Sequence, residues 1–157
     1  MKRVLCLVVL LLCLTSCKKE LSVTENEFLT VKENADGKII INTQDITSTA
    51  TFVNYEVEGV NIQFVVVRGS DGKVRIAFNT CQACNPSPLA YFVQKGEYLE
   101  CQNCGNRFHI DKVGLERGGC NPALVEEKEA GYQQMVMDTD YVSSYKENFR
   151  NWKGLKG

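Results

Sequence analysis

Runs of hydrophobic residues divide much of the chain into short strands. β-Branched and aromatic residues fill segments 38–43, 51–57, 61–68 and 73–79, and turn residues separate them. The turn Gly69-Ser-Asp-Gly72 between the last two segments predicts a β-hairpin. We therefore expect a mainly β fold built from antiparallel sheets.

Shorter hydrophobic segments predict further strands at residues 89–93, 98–100 and 108–110, and residues 132–137 predict a last one. Two glycines and a proline in residues 117–122 predict a tight loop instead, because these residue types disfavour regular structure. The second half of the chain is thus expected to combine short strands with an irregular loop.

An aromatic stripe near the C-terminus predicts one helix. Asp138-Thr139-Asp140 supplies residue types that cap helix N-termini. The apolar side chains that follow recur at helical spacing: Tyr141, Val142, Tyr145, Phe149 and Trp152. We expect this stripe to pack on the sheet rather than to form a binding surface.

The first residues have the composition of an export signal. A basic start and the apolar run 4–14 precede Leu14-Thr15-Ser16-Cys17, which resembles the lipobox whose cysteine is acylated in bacterial lipoproteins. The apolar run is too short to span a bilayer comfortably. We predict a lipoprotein signal peptide over residues 1–17, with Cys17 as the lipidation site. A plain secretory signal with an incidental cysteine is the alternative.

The rest of the chain divides into a polar tether over residues 18–27 and one cysteine-rich metal or iron-sulfur binding domain over residues 28–157. A lipid on Cys17 would hold this domain in the cell envelope, at the outer face of a membrane, without spanning it.

The charge balance argues against a nucleic-acid partner. The chain has 18 basic and 19 acidic residues, and residues 1–17 hold two of the basic and none of the acidic ones. The remainder therefore carries a net charge near −3. Such a surface lacks the basic footprint that binds phosphate backbones.

Two matched cysteine pairs are the main chemical signal. Cys81-Gln-Ala-Cys84 and Cys101-Gln-Asn-Cys104 are separated by sixteen residues, which falls within zinc-ribbon spacing. We expect two knuckle hairpins, with Asn85 and Gly105 allowing a backbone bend at positive φ. The four cysteines are the predicted ligands of a soft or borderline metal: zinc, copper(I) or an iron-sulfur cluster. The spacing does not distinguish between these metals, whereas the thiolate ligands exclude calcium and magnesium.

Cys120 makes the count of cysteines beyond residue 17 odd, at five, which disfavours a framework of disulfides alone. Gly118 and Gly119 allow its backbone to approach the pairs. A fifth thiol can exchange with a ligand, resolve a disulfide, bind a second metal or simply be buried. The sequence leaves these roles open.

The order of strands and cysteine pairs is similar to that of a Rieske domain. Rieske ligation needs two histidines, and His109 is the only histidine of this chain. A Rieske-like scaffold with cysteine at all four ligand positions remains as one possibility beside a zinc ribbon. We expect His109 to be an exposed strand residue rather than a ligand.

Three segments together resemble the FtrD-like family of membrane iron-sulfur-containing proteins. They are Arg75-Ile-Ala-Phe-Asn-Thr-Cys-Gln-Ala-Cys84, Leu99-Glu-Cys-Gln-Asn-Cys-Gly-Asn-Arg-Phe108 and Gly114-Leu-Glu-Arg-Gly-Gly-Cys-Asn-Pro122. The resemblance covers roughly residues 30–150. It implies electron transfer linked to iron uptake, an iron permease or redox protein as partner, and the paired cysteines, with Cys120 as a fifth candidate, as ligands.

The leading hypothesis is a lipid-anchored, non-enzymatic electron carrier or metal-binding protein. A structural zinc module without a redox role is the alternative. A thiol-disulfide oxidoreductase is third, because redox Cys-x-x-Cys motifs normally begin a helix, whereas both pairs here follow predicted strands.

Overall fold

The computed structural model describes residues 27–126, 128–131 and 133–156. The predicted signal peptide, the anchor Cys17 and nearly all of the predicted tether lie outside this part. The described chain forms short strands, one 3-10 helical turn (Ile110–Lys112), and two short helices, α1 (Thr139–Ser143) and α2 (Lys146–Phe149). The strands are β1 (Glu27–Val31), β2 (Lys38–Asn42), β3 (Thr51–Val57), β4 (Val60–Arg68), β5 (Val74–Cys81), β6 (Phe92–Lys95), β7 (Tyr98–Cys101), β8 (Arg107–His109), β9 (Pro122–Leu124), β10 (Glu129–Gly131) and β11 (Gln134–Asp138).

The strands form three sheets within the described residues. The central sheet has the order β1-β3-β4-β5-β9, and two smaller sheets have the orders β10-β11-β2 and β6-β7-β8. All pairings are antiparallel except that of β1 with β3, which is parallel. The prediction of a mainly β, antiparallel fold is therefore confirmed.

Both faces of the central sheet are buried, and each face packs on a different layer. Phe64 and Phe78 point towards the β10-β11-β2 sheet and the two C-terminal helices. Val65 and Ala77, one residue along each strand, point towards the β6-β7-β8 sheet. Successive side chains of a strand face opposite ways, so a continuous run such as β4 fills two hydrophobic cores.

Buried amides fasten the β6-β7-β8 sheet to the central sheet. The Asn79 side chain accepts a bond from the backbone N–H of Phe92 (2.9 Å) and donates to its carbonyl (3.3 Å). It also donates to the Gln63 side chain at 2.8 Å. Gln94 of β6 accepts from the N–H of Ala50 at 2.5 Å. These bonds satisfy polar groups that burial would otherwise leave costly, and they fix the position of β6.

The predicted loop over residues 117–121 and the predicted helical segment at the C-terminus both form, but two local details differ from the predictions. Pro122 begins strand β9, which pairs with β5 at the edge of the sheet, where a proline without an N–H is tolerated. The C-terminal helical segment is divided into α1 and α2 at Tyr145, which leaves the helical region. At the end of α1, the Ser144 hydroxyl donates to the carbonyl of Tyr141 (2.6 Å). Asp138 is the N-cap residue of α1, but its side chain makes no capping bond.

The aromatic stripe does pack on the sheet as expected. Tyr145 stacks on Phe78 with a centroid distance of 4.1 Å, and Phe149 lies 6.2 Å from the same ring. Trp152 is in turn 5.3 Å from Phe149. No helix within the described residues is long and apolar enough to cross a membrane.

Substitution of Gly114 tests how closely the loop before Cys120 packs on β5. A Cβ at Gly114 would lie 2.4 Å from the Ile76 carbonyl oxygen, and φ there is +69°. Gly59 has a similar φ of +75° with open space around its Cα, so Gly59→Ala is a matched control for backbone strain alone. We expect Gly114→Ala to reduce the free energy of unfolding in urea by about 1–2 kcal/mol more than Gly59→Ala. Equal losses would contradict the close packing.

Candidate metal centre

Five free cysteines from three segments meet at one end of the β6-β7-β8 sheet. Cys81 ends β5, Cys101 ends β7, and Cys120 lies in the loop that leads to β9. Cys81 and Cys101 are fully buried within the same hydrophobic core as Phe92 and Leu99. The thiols are thus a continuation of that core.

The sulfur atoms are close together. The Sγ atoms of Cys81, Cys84, Cys101 and Cys120 all lie within 4.8 Å of one another. The Cys81–Cys120 distance is 3.3 Å and the Cys84–Cys101 distance is 3.9 Å. The Cys104 Sγ lies outside this group of four and is 2.9 Å from the Cys120 Sγ. The structure therefore brings all five candidate cysteines together, with Cys104 at the exposed edge.

The two Cys-x-x-Cys segments form similar turns. In each, a backbone N–H bonds back to the carbonyl of the first cysteine: Asn85 to Cys81 at 3.0 Å and Gly105 to Cys101 at 2.8 Å. The second turn connects the paired strands β7 and β8, as a knuckle hairpin does. The first turn connects β5 and β6, which belong to different sheets, so it is not a hairpin.

The expectation of positive φ holds for one turn only. Gly105 has φ +74°, whereas Asn85 is not among the residues at positive φ. The Asn85 side chain instead donates to the hydroxyl of Thr80 (2.9 Å) and to the carbonyl of Asn148 (2.6 Å). The first turn is therefore held by side-chain bonds to β5 and α2. Gly118 and Gly119, which directly precede Cys120, both adopt positive φ, a conformation that glycine tolerates without strain.

Gln82, between the cysteines of the first pair, holds the loop that carries Cys120. Its side chain accepts from the N–H of Gly118 (2.9 Å) and donates to the carbonyl of Pro122 (3.1 Å). Its own N–H donates to the carbonyl of Asn121 at 3.0 Å. This role of Gln82 was missed, since nothing in the sequence pattern shows which distant loop a glutamine will reach.

Hydrogen bonds to sulfur surround the second pair. The backbone N–H groups of Asn103 and Cys104 donate to the Cys101 sulfur. The Asn103 side chain, which accepts a bond from the Ser87 hydroxyl at 2.6 Å, donates to the Cys84 sulfur. Bonds of this kind stabilise negative charge on thiolates. Asn103 also links the two turns and was missed for the same reason as Gln82.

The thiols of the metal-free protein differ in pKa, largely because they are buried to different extents. Desolvation raises the pKa of Cys101 to about 12 and also raises the pKa values of Cys84 and Cys120. The pKa of Cys104 is lowered to about 7, chiefly because the Cys120 thiol hydrogen-bonds to it, with the N–H of Asn106 as a second donor. A metal binds thiolates, so its binding must release protons from the buried thiols and should weaken as the pH falls.

His109 is not part of the sulfur cluster. Its Nδ1 accepts from the N–H of Asp111 at 3.2 Å and so caps the 3-10 turn, and its ring packs edge-on against Tyr98. The side chain is half-buried rather than fully exposed as expected. The prediction that it is a strand residue is confirmed, since it ends β8.

These observations define a mainly β protein with a partly buried, all-cysteine site suited to metal. Only thiols contribute to the group of four, which matches the preference of zinc, copper(I) and iron for soft ligands.

The family model described as "Membrane iron-sulfur containing protein FtrD-like" matches residues 47–149, and the chain belongs to this family. The match begins later than the resemblance from residue 30 suggested, so β1 and β2 lie outside it. No curated protein and no solved structure matches the chain.

Gln82→Ala tests whether this glutamine holds the Cys120 loop. Loss of its side-chain bonds should open the loop and increase the alkylation rate of Cys120 in metal-free protein by about tenfold, as expected for bonds worth about 1–1.5 kcal/mol. Gln102→Ala is the matched control, because Gln102 occupies the same place in the second pair and its side chain donates to the nearby carbonyl of Glu100. Peptide mapping by mass spectrometry measures both rates. An equal effect of the two substitutions would contradict the claim that Gln82 holds the Cys120 loop.

The acidity of Cys104 predicts a pH-dependent reactivity. In metal-free protein, alkylation of Cys104 by iodoacetamide should rise with pH through a midpoint near 7, because only the thiolate reacts. Below that pH the thiol is protonated and should react slowly. Cys101, with a pKa near 12, should stay unmodified at pH 8 and serves as the internal control. Modification of Cys104 and Cys101 at the same rate would refute the difference between their pKa values.

Proposed function

We propose that the protein binds a metal or iron-sulfur centre through its clustered cysteines and carries electrons at the outer face of a membrane, in a process linked to iron handling. The observation that carries this proposal is the convergence of five free thiols from three segments, four of them within 4.8 Å of one another. Membership of a family described as iron-sulfur containing supports it.

The chemistry of the residues present fits such a centre. Thiolates bind iron, zinc and copper(I), and the N–H and amide donors around Cys84 and Cys101 would offset their charge. An iron centre supplies one-electron chemistry when bound. Burial of Cys81 and Cys101 excludes water from one side of the site, while the exposed Cys104 marks the side open to a partner.

The surface near the site supports electron exchange with another protein. Residues 82–89 and 102–106 contain no charged side chain, and Leu89 is 44% exposed. An uncharged surface lets a partner approach closely without displacing tightly held water from charges. We propose a redox protein or a component of an iron permease as that partner, and we expect no nucleic-acid binding.

Attachment to the membrane is proposed from the sequence. The family is described as a membrane one, and Cys17 at the end of the lipobox-like segment would carry the lipid. The domain would then sit in the cell envelope, on the periplasmic or extracellular side.

A structural zinc site without a redox role is the second candidate. The burial of Cys81 and Cys101 in a hydrophobic core favours it, because a bound ion would cross-link the central sheet to the β6-β7-β8 sheet. The thiol-disulfide oxidoreductase remains third. Neither cysteine pair begins a helix; each follows a strand, β5 or β7.

Anaerobic purification followed by absorption spectroscopy, metal analysis and redox titration tests the proposal. We expect iron with visible charge-transfer bands that a reductant bleaches and an oxidant restores. The Cys101→Ser variant should bind at least about tenfold less metal per chain than wild type, because the substitution removes a buried ligand. Circular dichroism of metal-free wild type and variant checks that both fold. Colourless protein with zinc would select the structural role, and protein that binds no metal would refute both.

A further inference from the structure

We infer that the centre is a single metal ion held by Cys81, Cys84, Cys101 and Cys120, and that Cys104 is an outer thiol rather than a ligand. This inference rests on the proposed function, in that the cysteines bind metal, and it specifies the number of metal ions and the ligand set.

The spacing of the four sulfurs is that of a one-ion site. A tetrahedral ion with metal–sulfur bonds of about 2.3 Å places its four sulfurs about 3.8 Å apart. All four Sγ atoms lie within 4.8 Å of one another, and the two measured pairs, Cys81–Cys120 at 3.3 Å and Cys84–Cys101 at 3.9 Å, bracket the ideal edge. Small movements would complete the tetrahedron.

A polynuclear cluster needs a wider arrangement. In a cluster with two or four irons, the terminal thiolates bind different irons, and the irons with their bridging sulfides stand between them. Thiolates on different irons are therefore farther apart than the edge of a one-ion tetrahedron. Four sulfurs that all lie within 4.8 Å of one another are closer together than such a core requires, which favours the single ion.

The chain also explains why Cys120, and not Cys104, completes the set. The Gln82 side chain binds Gly118 and Pro122 on either side of Cys120, which draws this thiol against Cys81. Cys104 is exposed and lies 2.9 Å from Cys120, and it also interacts with the sulfurs of Cys84 and Cys101, but it is not one of the four sulfurs that all lie within 4.8 Å of one another. The first Cys-x-x-Cys pair thus supplies two ligands, the second pair supplies one, and the Cys120 loop supplies the fourth.

Cys104→Ser and Cys120→Ser make a matched test, because both replace one thiol of the same cluster by a hydroxyl. The full chain, wild type and each variant, is purified anaerobically, and metal and acid-labile sulfide per chain are measured. We expect one metal and no sulfide in wild type and in Cys104→Ser. The Cys120→Ser variant should bind at least about tenfold less metal per chain than wild type.

X-ray absorption of the wild-type protein gives a second test that does not depend on the folding of any variant. We expect about four sulfurs at one distance near 2.3 Å and no metal–metal distance. Sulfide in proportion to metal, more than one metal per chain or a metal–metal distance would overturn the single ion. Loss of metal from Cys104→Ser, or its retention by Cys120→Ser, would overturn the ligand set.

These outcomes differ from failure of the proposed function. If wild-type protein holds no metal after purification and takes up none from iron(II), zinc(II) or copper(I), the proposal of a metal centre fails, and this inference with it. If metal is bound but sulfide is present or Cys104 is required, only the inference fails.

Discussion

The pairing of the buried Asn79 side chain with both backbone groups of Phe92 is the constraint on which the site depends. The central sheet is covered on both faces, so each polar atom that enters the layer between β5 and β6 must find a partner there. Asn79, two residues before Cys81, finds its partners in the backbone of β6, the edge strand of the neighbouring sheet. Because β6 is paired with β7, the same bonds place Cys101 beside Cys81. An apolar side chain at 79 would leave the backbone of Phe92 unpaired and the two cysteine turns without a fixed separation.

The cysteine cluster is therefore an extension of the hydrophobic core and not a loop attached to it. Cys81 and Cys101 share one cluster with Phe92 and Leu99, and burial raises the pKa of Cys101 to about 12. In the metal-free protein these thiols act as small apolar side chains. A bound ion would convert them to thiolates and join two sheets, so metal binding and fold stability are expected to be coupled. The exposed Cys104 marks the boundary between the buried cysteines and the uncharged turns at residues 82–89 and 102–106.

The third segment distinguishes this site from a pair of independent knuckles. Gln82 and Asn103 each occupy the middle of a Cys-x-x-Cys turn, yet their side chains act between segments: Gln82 holds the Cys120 loop, and Asn103 joins the two turns. The intervening residues of both motifs thus help to position sulfurs that lie elsewhere in the sequence. Gly114 fits this arrangement, since its close approach to the Ile76 carbonyl sets where the Cys120 loop leaves the sheet.

The sequence by itself determined the strands, the antiparallel class and the cysteines that form the site, because these follow from local periodicity and residue chemistry. The pattern of β3 and β4 predicts their extent closely, and two Cys-x-x-Cys pairs indicate thiolate chemistry wherever they fold. Only the tertiary structure decided that Cys120 joins Cys81, Cys84 and Cys101 while Cys104 stays at the edge. It also decided that Pro122 begins a strand and that the C-terminal helical segment is interrupted at Tyr145. The reason is that these outcomes depend on hydrogen bonds between segments far apart in the chain, whose partners no local pattern specifies.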